Sequence, residues 1–161
     1  MTDLKYINHY PEHLKEQAVR LLEEGRLVQL LADKYTQQHH VKSNKALYEY
    51  VMEMKNRHMR KSAPISKVEY SDKVSALNAL GTHSRVSRVQ GSKLKAKKEL
   101  RIDTRFKQMP EDFLRMIVVH ELAHLKEMAH NKAFYNLCEY MEPNYHQLEL
   151  DLRLYLFCHE N

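Results

Sequence analysis

Apolar residues spaced three and four apart dominate the first third of the chain. After Pro11 and Glu12, Leu14, Ala18, Leu21 and Leu22 recur on one helical face, and Gly25 marks its end. Leu27, Val28, Leu30, Leu31 and Tyr35 form the pattern of a second, short helix. Beyond the polar stretch 37–40, Ser43 can cap a third helix carrying Leu47, Tyr50, Val51 and Met54 on one face, and Pro64 stops it. The period then changes. Lys67-Val68-Glu69-Tyr70 alternates as a strand does, and so do Arg85-Val86-Ser87-Arg88-Val89 and Glu99-Leu100-Arg101-Ile102-Asp103-Thr104, with a turn signal at Gly91. Residues 74–80 fit either period. Pro110, Glu111 and Asp112 open a helix through Phe113, Leu114, Ile117, Val118 and Leu122 that is apolar nearly all round and is expected to be buried. A last helix follows Pro143 with Leu148, Leu152, Tyr155 and Leu156 turned inward and Glu149 and Asp151 expected at its solvent face. The pattern predicts an α+β fold: an N-terminal helical segment over residues 1–62, then a domain over 63–161 whose small antiparallel sheet packs on the buried helix.

Composition narrows the class. Of 161 residues, 43% are hydrophobic and 29% charged, as in an ordinary globular domain, and no apolar run approaches the roughly 18 residues that span a bilayer. No membrane partner is expected. The chain start lacks a secretory apolar stretch, and two cysteines, Cys138 and Cys158, make no disulfide framework. Both are expected as buried packing residues in a reducing, cytoplasmic setting. The net charge of +5 is unevenly placed. Residues 84–107 hold nine Lys/Arg against two Asp/Glu, a local +7, while the remainder carries 17 basic against 19 acidic residues. A segment of that charge suits an anionic partner, a nucleotide or nucleic acid, with Arg85, Arg88 and Lys93 as candidate contacts. Lysines at a sheet edge serve equally to block aggregation.

The chemistry lies in the buried helix, at His120-Glu121-Leu122-Ala123-His124. Positions four apart differ by about 40° around a helix axis, so the two imidazoles leave one face and can converge on one ion. Glu121 beside them can take a proton from water that the ion polarises. His130, ten residues after His120, is a candidate third ligand, provided the chain turns after Glu127; Asn131 can then cap the next helix. Glu127 itself lies about 10.5 Å along the axis from His120, too far to share its ion. Glu139 or Glu142 from the following helix are the rival ligands. Tyr135 and Tyr145 are candidate oxyanion stabilisers, and Met141 a candidate apolar floor below the metal, although a core methionine explains it as well.

The run Val118-Val119-His120-Glu121-Leu122-Ala123-His124-Leu125-Lys126, then His130, Ala133-Phe134-Tyr135 and Met141-Glu142-Pro143-Asn144-Tyr145, resembles the YgjP-like metallopeptidase family, compact relatives of SprT-type zincins. The resemblance implies a zincin-like fold, Zn²⁺ on His120, His124 and His130, and Glu121 as general base. Two positions depart from the family pattern. Leu80-Gly81-Thr82-His83 stands where Trp-Gly-Ser-Cys is usual, so His83 is a candidate replacement, and Tyr135 stands for a tryptophan.

Three functions fit these residues. The first expectation is a zinc metallopeptidase acting on a protein or peptide. The second is a metal-dependent hydrolase of a nucleotide or other phosphoanhydride, with the basic segment clamping charge. The third is a zinc-containing nucleic-acid-binding protein. Glu121 weighs against the third, because a structural metal site has no use for a base.

Overall fold

The computed structural model describes residues 2–81 and 98–161. In the N-terminal segment, α1 (Glu12–Glu23), α2 (Leu27–Lys34) and α3 (Asn44–His58) form where the apolar spacing predicts them. The end of α1 is set by Gly25, at φ 72°, whose N–H reaches the Leu22 carbonyl while the Arg26 N–H reaches Leu21. That 6→1 and 5→2 pair is a Schellman stop, and its left-handed residue is cheap only for glycine. Ser43 caps α3 by accepting from the Ala46 N–H at 3.0 Å.

Two strands follow, β1 (Ile65–Ser71) and β2 (Lys98–Asp103), with the short helix α4 (Ala76–Leu80) between them in sequence. Among the described residues they form a two-stranded sheet, and it is parallel, pairing Val68 with Leu100, Glu69 with Arg101 and Tyr70 with Ile102. This corrects the antiparallel sheet expected from the alternation. Alternation assigns faces, not direction. Direction follows the connection, and residues 72–97 are long enough for the crossover that a parallel pair needs. The strand expected at Arg85-Val86-Ser87-Arg88-Val89 lies outside the described residues. Val68, Tyr70, Leu100 and Ile102 are buried, whereas Glu69 and Arg101 meet across the other face at 2.9 Å.

A 3₁₀ turn (Thr104–Gln108) leads into α5 (Glu111–Ala123), followed by α6 (Lys132–Met141) and α7 (Tyr145–His159). Nine of the thirteen α5 residues are buried, among them Phe113, Leu114, Ile117, Val118 and Leu122, as expected of a helix without a polar face. It packs against β2, α6 and α7, while α2 also packs on α7. Residues from Tyr6 to Cys158 join one buried core, Cys138 and Cys158 included. Glu149 and Asp151 are buried rather than exposed. Arg153 binds Glu149 at 2.9 Å, and Asp151 accepts from Lys34 Nζ at 2.8 Å and from the Tyr35 hydroxyl. Among the described residues no helix is long and apolar enough to cross a membrane.

Candidate metal centre

Helix α5 carries His120 in its last turn and ends at Ala123, so His124 stands at the C-cap. The chain leaves the helical path there. Leu125, Lys126 and Glu127 turn back by hydrogen bonds to Leu122 and Ala123, and Asn131 caps α6 by accepting from the Phe134 N–H at 2.9 Å. The turn returns His130 to the face of His120 and His124, as the spacing requires. The three rings form a near-equilateral triangle with centroid separations of 4.9, 5.0 and 4.9 Å, and one nitrogen from each lies within 4.8 Å of the others.

The donor set fits a metal. Nε2 of His124 and Nε2 of His130 are 3.0 Å apart. Two nitrogens held about 2.0–2.1 Å from a tetrahedral ion are separated by roughly 3.3 Å. His124 Nδ1 donates to the Glu127 carbonyl at 2.9 Å, which leaves its Nε2 lone pair pointing at His130. His120 is 1% exposed, and a buried imidazole must be satisfied. Its Nδ1 meets the Tyr145 hydroxyl at 2.7 Å and its Nε2 the Ala79 carbonyl at 3.0 Å. A carbonyl only accepts, so Nε2 carries the proton in this arrangement and Nδ1 accepts from the phenol. If Nε2 instead gave its lone pair to an ion, the ring's one proton would sit on Nδ1, which would donate to the same phenol oxygen, because a hydroxyl serves either tautomer.

Tyr145 therefore sits behind a ligand candidate instead of facing an open cleft. It is fully buried, and burial, with the nearby Glu149 carboxylate, pushes its phenol well above the ordinary value. Tyr135 differs. Its ring lies 6.3 Å from that of His130 and 5.3 Å from that of His146, it is partly exposed, and burial raises its phenol to about 12. The apolar floor is Phe134, fully buried, with ring centroids 4.9, 4.5 and 5.0 Å from His120, His124 and His130. Met141 is a core residue. Of the rival ligands, Glu139 pairs with His146 at 2.5 Å, and Glu142 pairs with Arg115 at 2.8 Å while accepting the Asn144 N–H. Glu121 is half-buried on α5, next to His120.

The candidate anion contacts Arg85, Arg88 and Lys93, and His83, lie outside the described residues. The described arginines of the basic segment are engaged within the protein. Arg101 binds Glu69 and Glu99, and Arg105 binds Asp103 and Glu160, which leaves less of that charge for a nucleic acid.

Sequence reasoning missed two features. One is Phe134 as the floor, which its spacing of four from His130 could have suggested. The other is a cleft of about 410 Å³ beside the histidines, lined by His9, Tyr10, Tyr135, His146, Gln147, Glu149 and Leu150. It joins the N-terminal segment to α6 and α7, and nothing in local sequence signals that meeting.

A family model described as YgjP-like, metallopeptidase domain, matches residues 5–155. A protein named UTP pyrophosphatase, from Escherichia coli (strain K12), is 55% identical over 157 residues, which cover 97% of this chain and 94% of that protein. No solved structure matches the chain. With almost the whole chain inside the match and three histidines gathered at one point, the protein belongs to the YgjP-like family and has the makings of a metal-dependent hydrolase.

Proposed function

We propose that this protein is a zinc-dependent hydrolase of nucleoside triphosphates, with UTP as substrate and pyrophosphate as product. The observation that carries the proposal is the likeness, along 97% of the chain, to a protein named UTP pyrophosphatase. The gathered histidines support the metal, and three neutral imidazoles with an adjacent carboxylate are a donor set that suits zinc. His120, His124 and His130 would hold the ion. When bound, it supplies Lewis-acid polarisation and brings the acidity of water near neutral pH.

The chain's own residues divide the rest of the work. Glu121 takes the proton of the attacking water. The water oxygen joins the α-phosphorus as the bond from that phosphorus to the α–β bridging oxygen breaks. Pyrophosphate leaves with the bridging oxygen, and the nucleoside monophosphate remains. Tyr135, protonated at neutral pH, donates a hydrogen bond to the charge that builds on the phosphoryl oxygens. Phosphoryl transfer is mainly positioning and charge neutralisation, and Arg85, Arg88 and Lys93 are the cations offered for the polyphosphate.

The family model's own description favours a second reading, cleavage of a peptide carbonyl by the same groups. The test separates them. Zinc-reconstituted protein is incubated with UTP and, separately, with casein, and the products are resolved by chromatography. Equal amounts of UMP and pyrophosphate from UTP, with intact casein, are expected. Casein cleavage without UTP turnover would overturn the nucleotide reading in favour of the peptidase.

A further inference from the structure

The cleft beside the histidines holds groups that metal chemistry does not use. His9 and Tyr10 form one aromatic wall, with ring centroids 4.2 Å apart, and Tyr135 and His146 a second, 5.3 Å apart. Tyr135 belongs to both places, because its ring also lies 6.3 Å from that of His130. A ligand that spans the two sites would have one end at the histidines and the other between aromatic rings.

Charge decides which end goes where. The carboxylate of Glu149 lines the cleft, but Arg153 neutralises it at 2.9 Å. Glu139 holds His146 at 2.5 Å. Among the described residues lining the cleft none is a lysine or arginine, and none of them offers a fixed cation to a polyphosphate. Its walls suit a planar neutral ring, since every nucleobase has a face that stacks on aromatic side chains.

The polar groups are more selective than the walls. Gln147 Nε2 donates to Asp151 Oδ1 at 3.1 Å. A carboxylate only accepts, which fixes the amide's orientation and leaves its carbonyl oxygen as what it can offer a ligand. Among the described residues the hydroxyls of Tyr10 and Tyr135 make no hydrogen bond, and burial keeps both phenols protonated, with values near 12. With the Tyr135 hydroxyl given to the phosphoryl oxygens, the cleft offers the Tyr10 hydroxyl as donor and the Gln147 carbonyl as acceptor. The edge of uracil presents the complement: a carbonyl oxygen beside an N–H. Cytosine has a lone pair at that nitrogen, which would face the Gln147 carbonyl.

We propose that this cleft is the base-binding subsite, that it stacks a uracil ring between the His9–Tyr10 and Tyr135–His146 walls, and that Gln147 selects uracil over cytosine by accepting its N–H. The assignment rests on the nucleotide reading of the metal centre and adds the group that chooses the base.

Two measurements test it on the full-length protein. The first is calorimetric titration with UMP and with CMP, which needs no turnover. The second is kcat/KM for UTP and CTP with zinc loaded. Wild type should favour the uracil ligand in both. Gln147→Leu should lower UMP affinity about 2- to 10-fold and bring the UTP-to-CTP ratio close to one, as expected when one hydrogen bond to the base from a partly exposed amide is lost. Tyr10→Phe, which leaves the Asp151 contact intact, should weaken UMP by a smaller factor. An unchanged uracil preference in both variants would overturn the subsite while leaving UTP hydrolysis standing. Wild type that turns over no nucleotide would overturn the hydrolase reading, and the UMP titration would still decide the cleft: selective binding lost in Gln147→Leu supports it, and no binding refutes it.

Discussion

Replacing Tyr145 by Phe removes one oxygen from a fully buried ring and leaves the packing volume almost unchanged. What it takes away is the partner of His120 Nδ1, 2.7 Å from the hydroxyl. His120 is 1% exposed, so its imidazole keeps a buried polar atom without its hydroxyl partner, at a cost of about 1–3 kcal/mol. In a chain of this length each kilocalorie corresponds to roughly 2–4 °C in Tm. The larger consequence concerns the metal. With Nε2 as the ligating atom, Nδ1 would be the donor and the phenol oxygen the acceptor that would hold the ring in place. Loss of such a partner usually costs about 10- to 100-fold in metal affinity. The assay is competition for zinc with a chromophoric chelator, run beside thermal melts of the metal-free protein. Tyr145→Phe should melt a few degrees lower and bind zinc about 10- to 100-fold more weakly. A dissociation constant within about twofold of wild type would refute the positioning role, whatever happens to Tm.

Two other perturbations probe the surroundings. Phe134→Leu should cost roughly 1–1.5 kcal/mol in urea denaturation and speed zinc release, because Phe134 touches all three histidine rings, whereas Met141→Leu should shift stability without affecting release; equal release rates would remove Phe134 from the floor. His39 is buried, its Nε2 donating to the Phe106 carbonyl at 2.9 Å and its Nδ1 accepting the Val41 N–H at 3.0 Å, and burial holds its pKa below the ordinary 6.5. The unfolded chain therefore binds that proton first, so the contribution to stability is full above about 6.5 and is lost as pH falls through the lower folded value. Urea midpoints from about pH 8 to about pH 5 should fall less steeply for His39→Gln than for wild type, and parallel slopes would refute the assignment.

Much of this is legible in the sequence. Helix α5 could be recognised because its apolar residues leave no polar face, and the pair His120 and His124 follows from helical geometry alone. His130 was legible for a different reason: a capping residue, Asn131, follows it directly, which implied the turn that brings it back. Other features depend on contacts between distant segments. The sheet direction hung on a crossover, not on the alternation of Val68, Tyr70, Leu100 and Ile102. Glu149 and Asp151 were expected at the surface because charges usually are, but Arg153, Lys34 and Tyr35 satisfy them inside. Tyr145 was visible as a phenol near the motif, while its role behind His120 needed the packing of α7 against α5. The cleft, built partly from His9 and Tyr10, had no local signature.

We propose Glu121 as the base for hydrolysis at the histidine centre. The most direct measurement is UTP turnover by Glu121→Gln and wild type at matched zinc content, with metal determined by elemental analysis on the same samples. Equal zinc is expected, with a kcat lower by about 10²- to 10⁴-fold in the variant, the usual contribution of a positioned general base. Undiminished turnover by Glu121→Gln with zinc in place would contradict it.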